Sequence, residues 1–487
     1  MVILGAIAEV NGTPRLSVDL SFSSMRAARV VATTFFIRPL LPFSPTFLFF
    51  SRTNHGTNSV SSVAAMSTSS STSPPIKNGV RIVSYNLLSS KLARPSHFTH
   101  AEPDHLEFDY RLRIILDKLD AEMNRGFGGN EDSQHWIPPT IFALQEVCYP
   151  FASALHTFFA QRGYHFVTGL YGKQFNGYMG VGLAYPLRDF ATVNVDICRL
   201  SDERVGGWPR ENVDTEGESG EKTGLREAIQ RLTAQFGSIA FQSIQAINNR
   251  IVKRLGYKSS EKSIDPWEMS ENRHNVLLTV TLCHREGGFT FSISNYHMPC
   301  AFFAPAVMNI HTDMVSKRVQ DLAAESWKSI RGCESSNQTP QEGNKTIPYI
   351  LAGDFNILPD SAQYKILTTG ELEKSDPTYP PKKYGQEWKI ESLPMDSAYA
   401  LDGSEPEFTN YAHTRDDIDP FIGTLDYIFL SKKESTNFHG ENESWEWWKV
   451  HRVQKLPHKE DSGGPFPNAK EPSDHLLISA DLELTSV

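Results

Sequence analysis

Short apolar runs that end in a polar side chain are the dominant pattern of this chain. Such runs occupy residues 80–86, 141–146, 348–354 and 424–430, and the polar residues at or near their ends are Asn86, Glu146, Asp354 and Asp426. Aliphatic and β-branched runs of this length are typical of buried strands. The pattern therefore predicts at least four strands that each place a polar group at the edge of a sheet.

Other segments follow different periods. Residues 275–283 and 288–297 alternate apolar and polar positions around the turn Glu286-Gly-Gly288, which predicts an antiparallel hairpin. Apolar residues recur at helical spacing in 109–123 and in 307–322, which predicts two helices. Strands, then helices, then strands again predict a layered α/β sandwich.

A helical insertion is predicted at about residues 211–270. An acidic loop at 211–222 precedes apolar residues at helical spacing in 225–239 and 244–255. The insertion would form a substrate lid or partner surface, or else a helical pair packed on the edge of the sandwich. The sequence leaves both open.

The first 77 residues differ in composition from the rest. Their only acidic residues are Glu9 and Asp19, and a Ser/Thr-rich segment at 67–75 ends them. We expect a disordered leader, a mitochondrial or plastid transit peptide, or a start at Met66 that leaves a cytosolic protein. The catalytic domain is then expected at 78–487.

Composition limits the class of partner and the compartment. The 487 residues carry a net charge of −10, so there is no global basic surface and any contact with nucleic acid must be local. Five scattered cysteines without a Cys-x-x-Cys pair predict neither a zinc site nor a disulfide framework, which fits a reducing, intracellular compartment. The apolar stretch within 30–50 is broken by Arg38, Pro42 and Pro45, so no membrane span is expected.

The polar residues suggest metal-assisted hydrolysis of a phosphoester. Asp354 and Asn356 follow one apolar run, and Asp474 and His475 precede another. A phosphodiester is anionic, so its hydrolysis needs a cation to neutralise charge, a carboxylate to aim the water and an imidazole to balance developing charge. Asp and Asn after a strand also suit an ordinary turn, and an Asp-His pair can begin a strand, so no single pair identifies the chemistry.

Taken in order, the motifs resemble the exonuclease-endonuclease-phosphatase superfamily. Six of them match it between about residues 78 and 485, namely Tyr85-Asn86, Gln145-Glu146, Asn295-Tyr-His297, Gly353-Asp354-Phe-Asn356, Leu425-Asp426-Tyr and Ser473-Asp474-His475. The stretch from Phe408-Thr-Asn-Tyr411 through Phe421 to Asp426 most resembles the deadenylase and 2′,5′-phosphodiesterase branch. The resemblance implies a four-layer α/β sandwich of two packed mixed β-sheets flanked by helices.

The resemblance also implies how a metal and a water would be held. Glu146 would bind Mg²⁺ directly, or Mn²⁺ in its place, with Asn86 and Asp474 nearby. Asp354 would orient or deprotonate the attacking water, and Asn356 would support it. Carboxylate and amide oxygens are the ligands that these hard cations prefer.

Further residues are implied for the substrate. His297 and His475 would contact the scissile phosphate, and Asp426 would hold the His475 ring. Phe421 matches a residue that stacks on a base, although a core position is the ordinary place for a phenylalanine. His297 is followed by Met-Pro-Cys, which departs from the family pattern and leaves a core-edge histidine as the alternative. Lys173, on a glycine-rich loop, would meet phosphate oxygens or remain a solvated lysine.

The expected function is that of a magnesium-dependent phosphodiesterase, a 3′-end ribonuclease of the deadenylase-like branch acting on single-stranded RNA. Two alternatives stay open. One is a phosphomonoesterase acting on a nucleotide or inositol phosphate, and the other is a catalytically inactive RNA-binding scaffold. The sequence identifies no protein partner.

Overall fold

A computed structural model describes residues 78–127, 136–211, 264–332, 346–414, 419–433 and 446–485. The leader predicted at 1–77 and most of the insertion predicted at about 211–270 lie outside the described residues. Among the helices of the described part, none combines the length and apolar character needed to span a membrane.

Six strands form the first mixed sheet, called sheet 1. They are β1 (Gly79–Asn86), β2 (Thr140–Val147), β3 (Tyr164–Leu170), β4 (Gly180–Pro186), β13 (Trp448–Val453) and β14 (Ile478–Leu484). Their order is β13-β14-β1-β2-β4-β3. Only β1 and β2 run parallel, and the other neighbours are antiparallel.

Six further strands form the second mixed sheet, called sheet 2. They are β5 (Phe190–Arg199), β6 (Val276–His284), β7 (Thr290–His297), β8 (Tyr349–Asp354), β9 (Met395–Ser397) and β12 (Asp426–Ser431), in the order β5-β6-β7-β8-β12-β9. The predicted hairpin is β6 and β7, and β7 runs parallel to β8. A small separate hairpin joins β10 (Asn410–Ala412) to β11 (Phe421–Gly423).

Helices cover the outer faces of both sheets. α1 (Phe108–Asn124) and α2 (Tyr149–Gln161) pack on sheet 1. α4 (Pro305–Gly332), α5 (Ala362–Thr369) and the short α3 (Pro266–Glu271) pack on sheet 2. α6 (Ala398–Leu401) follows β9. The helices predicted within 109–123 and 307–322 are α1 and α4.

Alternation along the strands explains the layers. On β1, Val80 and Ile82 face the core between the sheets, whereas Val83 and Tyr85 face α1 and α2. Because both faces of such a strand are buried, its sequence reads as a continuous apolar run. The predicted four-layer α/β sandwich of two mixed sheets is confirmed.

Two buried amide side chains, Asn295 and Gln145, join the two sheets close to the predicted site residues His297 and Glu146. Asn295 on β7 donates from Nδ2 to the carbonyls of Leu144 (2.9 Å) and Gly182 (2.8 Å) in sheet 1. Gln145 Nε2 donates back to Asn295 Oδ1 at 2.8 Å. Buried side-chain hydrogen bonds between the sheets resist sliding, so the two sheets keep one register at this edge.

Candidate active site

Strand register gathers the predicted residues at one end of the sandwich. In sheet 2, Asp354 is the register partner of His297 on β7 and of Asp426 on β12. In sheet 1, Asn86 and Glu146 end neighbouring parallel strands. Parallel neighbours end at the same edge of a sheet, so both sheets contribute polar side chains to one seam.

Asp354 lies at the centre of this seam. Its Oδ2 accepts a hydrogen bond from Asn86 Nδ2 at 2.8 Å and lies 3.4 Å from His297 Nε2 and 3.6 Å from His475 Nε2. Its Oδ1 accepts from the backbone N–H of Asn356 at 2.9 Å. The carboxylate is buried, with one oxygen bound to its own turn and the other turned toward the seam.

Gly353, just before Asp354, has a structural reason to be glycine. Its φ is +155°, and a Cβ at this position would lie 1.9 Å from the carbonyl oxygen of Tyr296 on β7. Only glycine lets the two parallel strands approach this closely. The Gly-Asp-Phe-Asn motif is thus partly a packing requirement that delivers Asp354 to the seam.

A chain of hydrogen bonds through two buried side chains, Asp426 and Thr409, holds His475. Its Nδ1 lies 2.8 Å from Asp426 Oδ2, and Thr409 Oγ1 donates to the same oxygen at 2.6 Å. Burial alone lowers the pKa of His475, but the carboxylates of Asp426 and Asp354 outweigh it and hold the pKa well above its ordinary value. The ring therefore favours the cationic form, with Nε2 facing Asp354.

Glu146 is a desolvated carboxylate on a strained backbone. Its Oε2 accepts from the N–H of Ser89 at 2.7 Å, and its Oε1 lies 3.5 Å from Asn86 Nδ2. Burial raises the pKa of Glu146, opposed by His297. The φ of Glu146 is +56° and that of Asn356 is +51°, a region that costs non-glycine residues about 1–3 kcal/mol each and clusters at functional sites.

Asp474 and Asn356 lie at the margins of the seam. Asp474 is half-buried, and its Oδ1 lies 3.5 Å from Ser473 Oγ, which donates to the Asn86 carbonyl at 2.7 Å. The bond from Ser473 to Asn86 joins the loop of the Ser-Asp-His motif to the end of β1. Asn356 Nδ2 donates to the Met298 carbonyl at 3.1 Å.

Two of the residues expected to contact substrate, Phe421 and Lys173, lie at the surface. Phe421 is 37% exposed, and its ring centroid is 6.2 Å from that of Phe302, which is 46% exposed. Lys173 is exposed on the loop between β3 and β4. Phe421 is therefore a rim residue and not a core residue.

Sequence reasoning missed several supporting residues. Thr409 stands inside a motif that was recognised, but its bond to Asp426 depends on the β10 hairpin. Arg111 gave no signal beyond its place on a helix, yet its guanidinium is fully buried and donates to the carbonyls of Leu87, Leu88 and Pro472. An exposed Phe302 next to Phe421 cannot be recognised without the fold.

Among the described residues, one group of acidic and imidazole side chains is compact enough to hold a metal. It comprises Asp354, Asp426 and His475, with ligand atoms within 4.8 Å of one another. However, His475 Nδ1 and Asp426 Oδ2 already form a hydrogen bond, which a cation between them would have to break. Glu146 Oε1, whose only hydrogen-bond donor among the described residues is Asn86 Nδ2 at 3.5 Å, offers a freer oxygen.

The fold matches the architecture predicted from the superfamily resemblance. Two mixed sheets pack together, and their strand ends bring carboxylates, amides and two imidazoles to one seam. No family model matches the chain.

Similar proteins agree with that resemblance. The chain is 25% identical over 432 residues to the CCR4-Not complex 3′-5′-exoribonuclease subunit Ccr4 of Aspergillus niger, which covers 85% of this chain and 53% of that protein. It is 31% identical over 137 residues to carbon catabolite repressor protein 4 homolog 4 of Arabidopsis thaliana, covering 28% of this chain and 27% of that one. The chain thus spans about half the length of the fungal relatives it matches.

A solved structure shares the fold. That structure is ANGEL2, a 2′,3′-cyclic phosphatase, with a TM-score of 0.50 and 15% identity over 83% of this chain and 95% of that chain. ANGEL2 shows the fold alone, and the Ccr4 relatives confirm the resemblance to the deadenylase-like branch of the exonuclease-endonuclease-phosphatase superfamily.

Proposed function

We propose that this chain is a metal-dependent phosphodiesterase that removes nucleotides from the 3′ end of single-stranded RNA. The observation that carries the proposal is the convergence of Glu146, Asn86, Asp354, His297 and His475 from two sheets on one seam. The 3′-5′-exoribonuclease named among the relatives supports RNA as the substrate.

The donor set fits a hard divalent cation, and we propose Mg²⁺, with Mn²⁺ as a substitute. Glu146 would hold it, with Asn86 and Asp474 nearby, and the titratable neighbours that influence Glu146 are His297, Asp474 and His475. Oxygen ligands of this kind suit magnesium and manganese better than soft metals. When bound, the cation supplies positive charge that neutralises the phosphate oxygens.

The chain's own groups would handle the proton and the charge as the water oxygen bonds to phosphorus and the bond from phosphorus to the 3′ oxygen of the shortened strand breaks, that oxygen taking a proton from solvent. Asp354 Oδ2 would accept the proton of the attacking water, and Asn356 would keep the turn that aims this carboxylate. His475, held cationic by Asp426, would donate from Nε2 to a phosphate oxygen. His297, whose Nδ1 is buried without a partner among the described residues, would be a second donor.

Surface residues would select the substrate. Phe421 and its neighbour Phe302 offer exposed faces on which a terminal base can stack, an interaction worth ~1–3 kcal/mol per base. Lys173 would meet the backbone phosphates. Stacking requires an unpaired base, which favours a single strand over a duplex.

We further propose that residues 78–487 form one catalytic domain that acts inside the cell, in the cytoplasm or an organelle. Residues 1–77 would serve as a leader or linker.

Hydrolysis of defined substrates by the purified full-length chain tests the function. The substrates are 5′-labelled oligoadenylate, 2′,5′-oligoadenylate, single-stranded DNA, RNA ending in a 2′,3′-cyclic phosphate, and a nucleotide phosphomonoester, each with Mg²⁺, Mn²⁺ or chelator. A ladder of shortened oligoadenylate that chelator abolishes is expected. The cyclic phosphate is included because of the ANGEL2 likeness. Undiminished hydrolysis with chelator would overturn the metal requirement.

Matched variants separate the site from the fold. Glu146→Gln and His475→Asn should each lower kcat by at least about 100-fold, the usual contribution of such groups. Glu483→Gln and His451→Asn alter a half-buried Glu-His pair on β13 and β14, in which Glu483 Oε2 and His451 Nε2 are 2.7 Å apart, and should retain activity. Wild-type rates in Glu146→Gln would refute the assignment.

A further inference from the structure

A second exposed aromatic surface lies beside Glu146, on the side of the site formed by α2 and the β3–β4 loop. The rings of Tyr149 and Tyr178 stack with centroids 4.9 Å apart and an angle of 25°. Tyr149 is 57% exposed, Tyr178 40%, and the neighbouring Phe175 39%. We call these three residues the tyrosine platform. Exposed large aromatics grouped in this way commonly mark a binding surface.

The loop that carries Phe175 and Tyr178 is hydrogen-bonded to the active site through Ser89. The N–H of Ser89 donates to Glu146 Oε2, and Ser89 Oγ donates to the carbonyl of Asn176 at 2.7 Å. The N–H of Tyr149 donates to the carbonyl of Gly177 at 3.2 Å. One serine therefore connects the Glu146 carboxylate to the loop that carries the platform.

The backbone holds Tyr178 in a left-handed conformation that side chains seldom adopt. Its φ is +56°, directly after Gly177 at +70°. A Cβ on Gly177 would lie 3.1 Å from Cys148 Cβ and 3.2 Å from Lys91 Cγ. Left-handed non-glycine residues cluster at functional positions, and here the conformation presents a tyrosine ring to solvent.

Exposed cations flank the platform although the whole chain is acidic. Lys91, Arg94 and Lys173 are exposed, and Arg94 Nη2 donates to the Phe175 carbonyl at 3.3 Å. Residues 87–101 and 147–188 contain no Asp or Glu, whereas the chain has 57 acidic residues among 487. An anionic ligand is favoured here over a cationic one.

We propose that the tyrosine platform stacks an unpaired base of the RNA strand upstream of the scissile phosphate, while Lys91 and Arg94 contact its backbone. The proposal rests on the proposed function and extends it: the substrate is an oligonucleotide several residues long and not a dinucleotide. Aromatic faces interleaved with cations are what sequence-tolerant binding of single strands requires.

Length dependence of the kinetics tests this. Wild type should have a lower KM for the decamer rA10 than for the dinucleotide rA2. In Tyr149→Ala/Tyr178→Ala, the KM for rA10 should rise roughly 5- to 150-fold, the range for loss of one stacked base, so that the length preference collapses. Tyr149→Phe/Tyr178→Phe should keep the preference, because it preserves the rings.

One control variant and one binding measurement separate the role of the platform from a general effect of removing an exposed tyrosine. Tyr384→Ala removes another exposed tyrosine beside a cation, Lys383 Nζ being 5.2 Å from its ring centroid, and should keep the length preference. Anisotropy of labelled rA10 on Glu146→Gln, with and without the platform substitutions, measures binding without turnover.

The outcomes distinguish this proposal from the proposed function. If no substrate is hydrolysed but rA10 binding still falls with the platform substitutions, the function fails and the platform stands. Equal KM values for rA2 and rA10 in wild type, or unchanged rA10 binding in the double alanine variant, would overturn the platform. Equal competition by polyglutamate would also overturn it, in favour of an acidic protein partner.

Discussion

Replacement of Arg111 by methionine should damage stability and catalysis together. The Arg111 side chain is completely buried in α1, with Nε donating to the Pro472 carbonyl at 2.5 Å and Nη2 to the carbonyls of Leu87 and Leu88 at 2.5 and 2.6 Å. Burial lowers the pKa of Arg111 to about 10, so the group remains charged at neutral pH. It connects the segment after Asn86 to the segment before Asp474.

The magnitude follows from what the substitution leaves behind. Three buried carbonyls lose their donor, at about 1–3 kcal/mol each, and this loss is partly offset by removal of a buried charge. The net loss in free energy of unfolding should be about 3 kcal/mol, within the range for breaking a buried ionic group. A shift of either segment by about 1 Å would lower kcat/KM by roughly 100-fold.

Urea unfolding and oligoadenylate hydrolysis measure the two effects. Arg113→Met is the matched control, because Arg113 is exposed two residues later on the same helix with its guanidinium 5.5 Å from the Tyr110 ring centroid. It should be nearly neutral in both assays. An Arg111→Met protein that unfolds at the wild-type urea concentration and keeps its kcat/KM would refute the reasoning.

Two further substitutions address single side chains. Thr409→Val keeps the shape but removes the donor to Asp426 and the acceptor for the N–H groups of Leu425 and Asp426. We expect kcat to fall roughly 10- to 100-fold, as is usual for residues that orient a functional ligand, with recovery in Thr409→Ser; an unchanged kcat would contradict this role. Burial lowers the pKa of His311 to about 3, below its ordinary 6.5, so the unfolded chain binds the proton more readily and stability is lost as the pH falls below about 6.5. Because of His311, the free energy of unfolding should be about 2 kcal/mol lower at pH 5 than at pH 7.5. His311→Gln should flatten this pH dependence. An equal slope in both proteins would exclude His311 as its source.

The fold, and the convergence of the residues of the candidate site, could be predicted because each strand carries its own signal. Asn86, Glu146 and Asp354 end continuous apolar runs, and the parallel pairs then bring those ends together. Burial on both faces and a polar tip are properties of a single short segment, so they can be recognised before any tertiary contact is known.

What could not be predicted depends on contacts between distant segments. Tyr149 and Tyr178 stack only because Gly177 lets the β3–β4 loop approach α2. Thr409 meets Asp426 only through the small hairpin of β10 and β11. The left-handed backbone at Glu146 and Asn356 leaves no trace in composition or periodicity. Each of these features requires the assembled sandwich.

The register between β7 and β8 has a consequence for how this protein can change. His297 and Asp354 are directly paired, and strand side chains alternate between faces, so deleting one residue inside β8 would turn the Asp354 carboxylate toward α4. Insertions between strands leave that pairing untouched. Relatives that diverge in substrate should therefore vary in the length of their loops and keep the residue count of these two strands.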